Sequence, residues 1–205
     1  MIRGIFLPLT GLPSSDIISR MTAIDVTITY PQTFEIAPAS ISGAVSAAFY
    51  AQLNREGIVL KPRMKEKAEA VRQKVFNAAV LTGRCLAVPV EASLTVALII
   101  FVKGLKELEE TASRLSDHYY MELWGSALIS EGIHAARSRV KESALTHHMA
   151  VTEERIPGVG SVPLETQKEI FRLLRPEDLG ITLLDNDLMF PEKAFSCLIT
   201  LTPKV

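Results

Sequence analysis

The sequence is short of sulfur and of aromatic surface, with two cysteines, one tryptophan and 6% aromatic residues in 205 positions. Cys85 and Cys197 are far apart, and neither has a second cysteine or a histidine at metal-ligand spacing. Buried free thiols are therefore the reading, ahead of a disulfide or a metal site, and no cofactor is indicated. Long hydrophobic runs are missing as well. SLTVALIIFV, residues 93–102, is the longest and reaches about half of the roughly 20 residues a membrane-crossing helix needs, so no membrane span is expected. Pro8 and Pro13 interrupt the N-terminal MIRGIFLPLTGLP, and no small-residue cleavage site follows; the expectation is a cytoplasmic protein without a secretory signal. An excess of one charge is also absent. With a net charge of −1 and a pI near 6.4, the whole molecule has no electrostatic footprint for nucleic acid, and any such binding must come from local patches.

What is present fits one domain over residues 1–205, with hydrophobic residues at 48% and charged residues at 22%, both ordinary for a globular chain. A mean hydropathy of +0.23 is a little high, as expected where some apolar surface meets a partner.

Patterning predicts strands over residues 2–9 and 22–30, the second from the alternation of Ile24, Val26, Ile28 and Tyr30. A helix is expected from about residue 41 to 54, with Ser40 as N-cap. It would have one face of Ile41, Ala44, Val45, Ala48, Phe49 and Gln52 and a second of the small residues Ser42, Gly43, Ser46 and Ala47, and so be covered on most sides. A charged helix over 61–76 carries a narrow stripe of Ala68, Val71, Val75 and Phe76. Next come a strand over 93–102, a helix over 104–120, and strands over 122–130 and 133–140 paired as a hairpin. A Pro/Gly loop over 156–163, a helix over 164–174 and a strand over 193–203 complete the chain. This order predicts an α+β, ferredoxin-like (RRM-like) domain, with a thumb-like or helical insertion at 55–90 outside that plan.

Several groups invite chemistry. His147 and His148 are adjacent imidazoles suited to general acid–base work, but adjacent side chains diverge on any regular element. A solvated or backbone-bonded pair is the first reading, ahead of RNA contact and of catalysis. His118, Tyr119 and Tyr120 make either a stacking platform or a helix end folded into the core, and the core reading leads. Gly158 and Gly160 offer backbone amides to a phosphate or an ordinary surface turn. Arg137, Arg139 and Lys141, read on a strand, share one face as a cationic row beside Ala135. A second basic group, Lys61, Arg63, Lys65, Lys67, Arg72, Lys74 and Arg84, is interleaved with Glu66 and Glu69 and reads as a solvated helix face. No acidic pair or nucleophile signature makes a case for an enzyme.

In TFEIAPASISGAVSAAF, residues 33–49, the positions Phe34, Ile36, Pro38, Ser40, Ile41, Gly43, Ala44 and Val45 follow an aromatic, aliphatic, proline, serine and Gly-Ala pattern that opens a helix. The stretch resembles the N-terminal signature of the Cas-five family, RAMP-type subunits of type I CRISPR Cascade complexes, and with the preceding residues the likeness covers about residues 1–50. Ile36 and Ala37 stand where two further prolines are usual, and Ala39 separates Pro38 from Ser40. The resemblance implies a ferredoxin-like RAMP domain that caps the 5′ handle of a CRISPR RNA and contacts neighbouring Cascade subunits, with target DNA met through the complex. Most members of that family are structural, and one branch processes precursor RNA. On this reading Ser40, Ser42 and Gly43 approach the RNA backbone, Arg137, Arg139 and Lys141 supply charge to its phosphates, and Gly158 and Gly160 add backbone amides. The alternatives are a metal-independent endoribonuclease with His147 or His148 as general base, and a small-molecule enzyme or interaction subunit of an unrelated assembly.

Overall fold

A computed structural model describes residues 32–204 of the chain; the strands expected over 2–9 and 22–30 lie outside them. The first element, β1 (Gln32–Ile36), leads through a 3-10 turn at Pro38–Ile41 into helix α1 (Ser42–Arg55). Pro38 opens the turn, where its fixed φ fits and its missing N–H has no bond to lose. Ser40 lies inside this turn, and its Oγ donates to the Ala37 carbonyl at 2.7 Å. It therefore does not cap α1 as expected, because its hydroxyl faces back toward the preceding carbonyl. Gly57, with φ of +70°, ends α1. The Ile58 N–H donates to the Leu53 carbonyl at 2.9 Å and the Gly57 N–H to that of Asn54 at 3.1 Å, the paired bonds of a glycine-terminated helix.

Helix α2 (Pro62–Ala78) buries Ala68, Val71 and Val75, the stripe its sequence carries, and leaves most of its charge in solvent. Strands β2 (Val80–Val90) and β3 (Ser93–Lys103) form a hairpin. Periodicity misses β2, since Gly83, Arg84 and Pro89 interrupt its pattern. Gly83 pairs with Phe34 of β1, and a Cβ there would overlap the Phe34 ring and the Ile99 carbonyl. Residues 55–90, considered for an insertion, thus hold α2, which packs in the main core, and β2, which pairs with both of its neighbours.

A short helix, α3 (Leu105–Glu110), precedes the 32-residue α4 (Leu115–Thr146). Here the structure corrects the sequence reading: the strands expected over 122–130 and 133–140 are consecutive turns of α4. Gly132, which stands between those two expected strands, and Gly125, inside the first of them, are contact points. A Cβ at Gly125 would overlap the Leu105 side chain, and one at Gly132 that of Leu81. Removing a side chain lets α4 approach its neighbours closely enough to outweigh the helix penalty of glycine, about 1 kcal/mol.

The chain continues through β4 (Met149–Arg155), α5 (Thr166–Leu174), a 3-10 turn at Pro176–Leu179, the two-residue strands β5 (Thr182–Leu183) and β6 (Met189–Phe190), and β7 (Ala194–Pro203). The architecture is α+β. Five strands in the order β1-β2-β3-β7-β4 make a sheet in which every neighbouring pair is antiparallel. Strands β3 and β4 are therefore parallel, joined across β7 by a connection that contains α4. Helices α1, α2 and α4 cover one face, while α5 packs on Ala97, Ile99, Phe101 and Leu198 from the other. Burial of β3 on both faces explains why residues 93–102 are apolar without alternation. Among the described residues no helix is long and apolar enough to cross a membrane.

The helical layer centres on Trp124, which is fully buried. Its ring stacks on Phe49 with centroids 3.6 Å apart and planes within 3°, and its indole N–H donates to the Ala68 carbonyl at 2.9 Å. One side chain thus joins α4 to α1 and α2. Replacing it by Ala is expected to destabilise the fold by about 3–5 kcal/mol, the range for a fully buried large aromatic, measured by denaturant unfolding.

On the other face, Arg84 of β2 grips the Asp178 carboxylate with two nitrogens at 2.8 and 2.9 Å and donates to the carbonyls of Leu174 and Arg175 at the end of α5. Its Nε donates to Thr33 Oγ1 at 3.1 Å. Arg84 is thus structural, not part of a solvated basic face. The Arg84 guanidinium holds the Asp178 carboxyl below the usual carboxylate range. A depressed acid stabilises the fold above its unfolded pKa of about 4, and the contribution is lost as pH falls through the lowered folded value. Asp178→Asn should remove that component of the acid limb, so stability below about pH 4 depends less on pH than in the parent when followed by circular dichroism.

Candidate functional site

The residues singled out by sequence gather around the C-terminal half of α4, but in a different arrangement from the expected row. Arg137, Arg139 and Lys141 would share one face of a strand with its period of two; on a helix, residues four apart share a flank and those two apart do not. Arg137 and Lys141 line a groove toward β4, and Arg139 lines a cavity on the opposite flank, toward β1 and β2. The cationic row is therefore divided between two sites.

Arg137 is committed within the fold. Its Nε and Nη2 both reach Glu154 Oε1 at 2.6 Å, and its guanidinium lies 4.9 Å from the Phe195 ring centroid. It ties α4 to β4 and β7. Arg139 and Lys141 are exposed and have no ion pair among the described residues. They are the members of the row able to receive an external anion. Beside Lys141 the groove of about 400 Å³ also includes Leu145, Val151 and Lys204.

The cavity beside Arg139 has a volume of about 290 Å³ and lies between α4 and the sheet. Its buried walls include Leu94, Val96, Leu98, Ala136, Ala144 and Leu201. Its polar lining residues, Gln32, Thr33, Arg139, Ser143 and His147, are all exposed, so polarity is confined to the mouth and the interior is apolar. Cys85, also in the wall, has its thiol pushed up by burial and is correspondingly unreactive. Arg139, Ser143 and His147 follow one another at four-residue spacing, one per helical turn. Sequence reasoning missed Ser143, Gln32 and Thr33; the spacing from 139 to 147 would have revealed the row of three had this segment been read as a helix.

His147 ends α4. Its backbone N–H donates to the Ser143 and Ala144 carbonyls, and its Nδ1–H donates to the Ser143 carbonyl at 2.8 Å, leaving Nε2 as the free ring nitrogen. His148 takes a left-handed conformation with φ of +57°, and its carbonyl accepts from the Lys204 N–H at 2.9 Å. Within the other aromatic group, Tyr120 is buried and Tyr119 is 40% exposed, so the two tyrosines do not form one open stacking surface. Among the described residues no three His, Cys, Asp or Glu side chains converge as a metal site.

The remaining candidates lie elsewhere. Gly158 and Gly160 have positive φ in the turn after β4, on the connection to α5 and the opposite face of the sheet. The Gly158 N–H donates to the Val162 carbonyl at 3.0 Å and is already bonded within the loop, unlike the free amides of a phosphate nest. Ser40, Ser42 and Gly43 stand at the entry to α1. This helix buries Val45, Phe49 and Leu53, while Gly43, Ala44, Ala47 and Ala51 are exposed. The expected covering of most of its sides is therefore not found among the described residues. Of the small-residue face expected at Ser42, Gly43, Ser46 and Ala47, the described residues leave Gly43 and Ala47 exposed and Ser42 and Ser46 half-buried.

No protein-family model and no curated protein matches the chain.

A Cβ built at Gly43 meets nothing within 4 Å among the described residues. Gly43→Ala should therefore stabilise the isolated protein by up to about 1 kcal/mol through helix propensity. Gly43→Leu should leave the unfolding midpoint within about 1 kcal/mol of the parent while obstructing any partner that packs against this face. Equilibrium unfolding, paired with co-purification, separates the two effects.

Proposed function

We propose that the protein is a non-catalytic RNA-binding subunit of a type I Cascade-like CRISPR complex, capping the 5′ handle of the CRISPR RNA in the cytoplasm and contacting neighbouring subunits. Target DNA is met through the assembly. The observation that carries this reading is the exposed turn from β1 into α1. There the residues of the Cas-five-like pattern are divided between buried anchors, Ile36, Pro38 and Val45, and an open surface at Ser40, Gly43 and Ala44. Such a surface lets an RNA backbone or a flat protein face approach closely without a side chain between them. Arg139 and Lys141, both without an ion pair among the described residues, are the cations this reading assigns to phosphate contact.

The sheet supports the finer assignment of a ferredoxin-like fold. Strands β3 and β4 with α4 make a split βαβ unit around β7, and β2-β3-β7-β4 has the spatial order of such a sheet, with one outer strand entering first in the chain instead of last. The nuclease reading gains no support from the histidines, since the His147 ring is bonded to its own helix and His148 is a surface residue at a helix end.

The test is to purify the full chain together with the proteins encoded beside it and to extract the bound nucleic acid. A discrete RNA of uniform 5′ end in a multi-subunit particle is the expected result. The double variant Arg139→Ala/Lys141→Ala should bind that RNA more weakly, with a salt slope reduced by about 2, roughly one per lost phosphate contact. RNA-free protein in every preparation overturns the reading.

A further inference from the structure

The cavity between α4 and the sheet is poorly suited to the RNA of the proposed function. A nucleobase placed in it would bury ring nitrogens and exocyclic groups against aliphatic side chains, and unpaired buried polar atoms cost several kcal/mol each. The walls instead suit a hydrocarbon. At about 290 Å³, the space is about twice the roughly 150 Å³ void that accepts one benzene, which corresponds to about ten to twelve carbon atoms.

The mouth selects charge. Among the described residues no aspartate or glutamate lines it. Arg139 has no ion pair among the described residues, while Ser143 and Gln32 bring donors from opposite sides. The Thr33 hydroxyl is bonded to Arg84 Nε on the other face of the sheet and gives no donor here. An apolar interior closed by one cation and the neutral donors Ser143 and Gln32 has the usual form of a small-molecule pocket, in which a few polar groups fix the orientation of an apolar body. We propose that this cavity binds an amphipathic carboxylate, its apolar body of about ten carbons between α4 and the sheet and its carboxylate held at the mouth by Arg139.

Decanoate is the probe, titrated into the full chain below its micelle concentration and followed by isothermal titration calorimetry and by methyl NMR shifts of Leu94, Val96, Leu98 and Leu201. Decyltrimethylammonium, with the same chain and the opposite charge, is the comparison. The expected result is one decanoate per chain with shifts confined to the cavity methyl groups, and binding of the cationic amphiphile at least tenfold weaker. Arg139→Glu, at an exposed position, should weaken decanoate at least tenfold. Ala87→Phe, which places a ring in the cavity, should abolish the methyl shifts. Equal binding of both amphiphiles, undiminished binding by Arg139→Glu, or unshifted cavity methyls in the parent chain each overturn the proposal. No RNA enters these measurements, so their outcome is independent of the RNA reading.

Discussion

Trp124 holds the helical layer together because this one flat side chain of α4 meets two other helices through two kinds of contact. Its face covers Phe49, which brings α1 against α4, and its N–H reaches a main-chain carbonyl of α2. An indole buried without that bond would leave a donor unpaired, and a phenyl ring in its place would leave the Ala68 carbonyl without this donor. The lone tryptophan of the chain therefore fixes both the position of α4 and its rotation about its own axis. That rotation decides which of its residues face the sheet.

The consequences run along α4. Near Trp124, Gly125 and Gly132 let the helix lie closely on Leu105 and Leu81, and the layer is tightly packed. Toward the C-terminal end its inner face carries Ala136, Val140 and Ala144, and the strand beneath carries Cys85 and Ala87. Small side chains on both walls leave the cavity there. On either side of this inner row the same helical turns present Arg139, Ser143 and His147 toward one opening and Arg137 and Lys141 toward the other. The candidate chemistry of the protein thus follows from the phase of a single long helix.

Ion pairing then sorts the basic residues. Arg84 and Arg137 look like free surface cations in the sequence, yet each is held by a carboxylate from a distant segment, Asp178 and Glu154. Arg84 also satisfies carbonyls at the end of α5, which places that helix on the second face of the sheet. With these two arginines engaged inside the fold, the positive charge on α4 available to an outside anion falls to Arg139 and Lys141.

Several elements were legible from local pattern alone. Helices α1 and α2 show one-sided apolar spacing, β3 an apolar run too short for a membrane, α5 a compact amphipathic turn pattern, and β7 an alternation. Each pattern arises because burial on one face or two imposes a single period on a short stretch. The pattern of residues 122–140 satisfies both periods, and its glycines mark a turn as readily as a close helix contact, so only packing against Leu81, Leu105 and Phe49 decides that it is helix. The same holds for β2, whose Gly83 is filled by the Phe34 ring of the neighbouring strand. The residue types of the candidate site could be read from the sequence, whereas their division into two flanks, the loss of Arg137 to Glu154 and the apolar cavity beside Arg139 came from tertiary structure. The physical reason is that periodicity records contacts between near neighbours in the chain, while ion pairs, close approaches and voids join residues that only folding brings together.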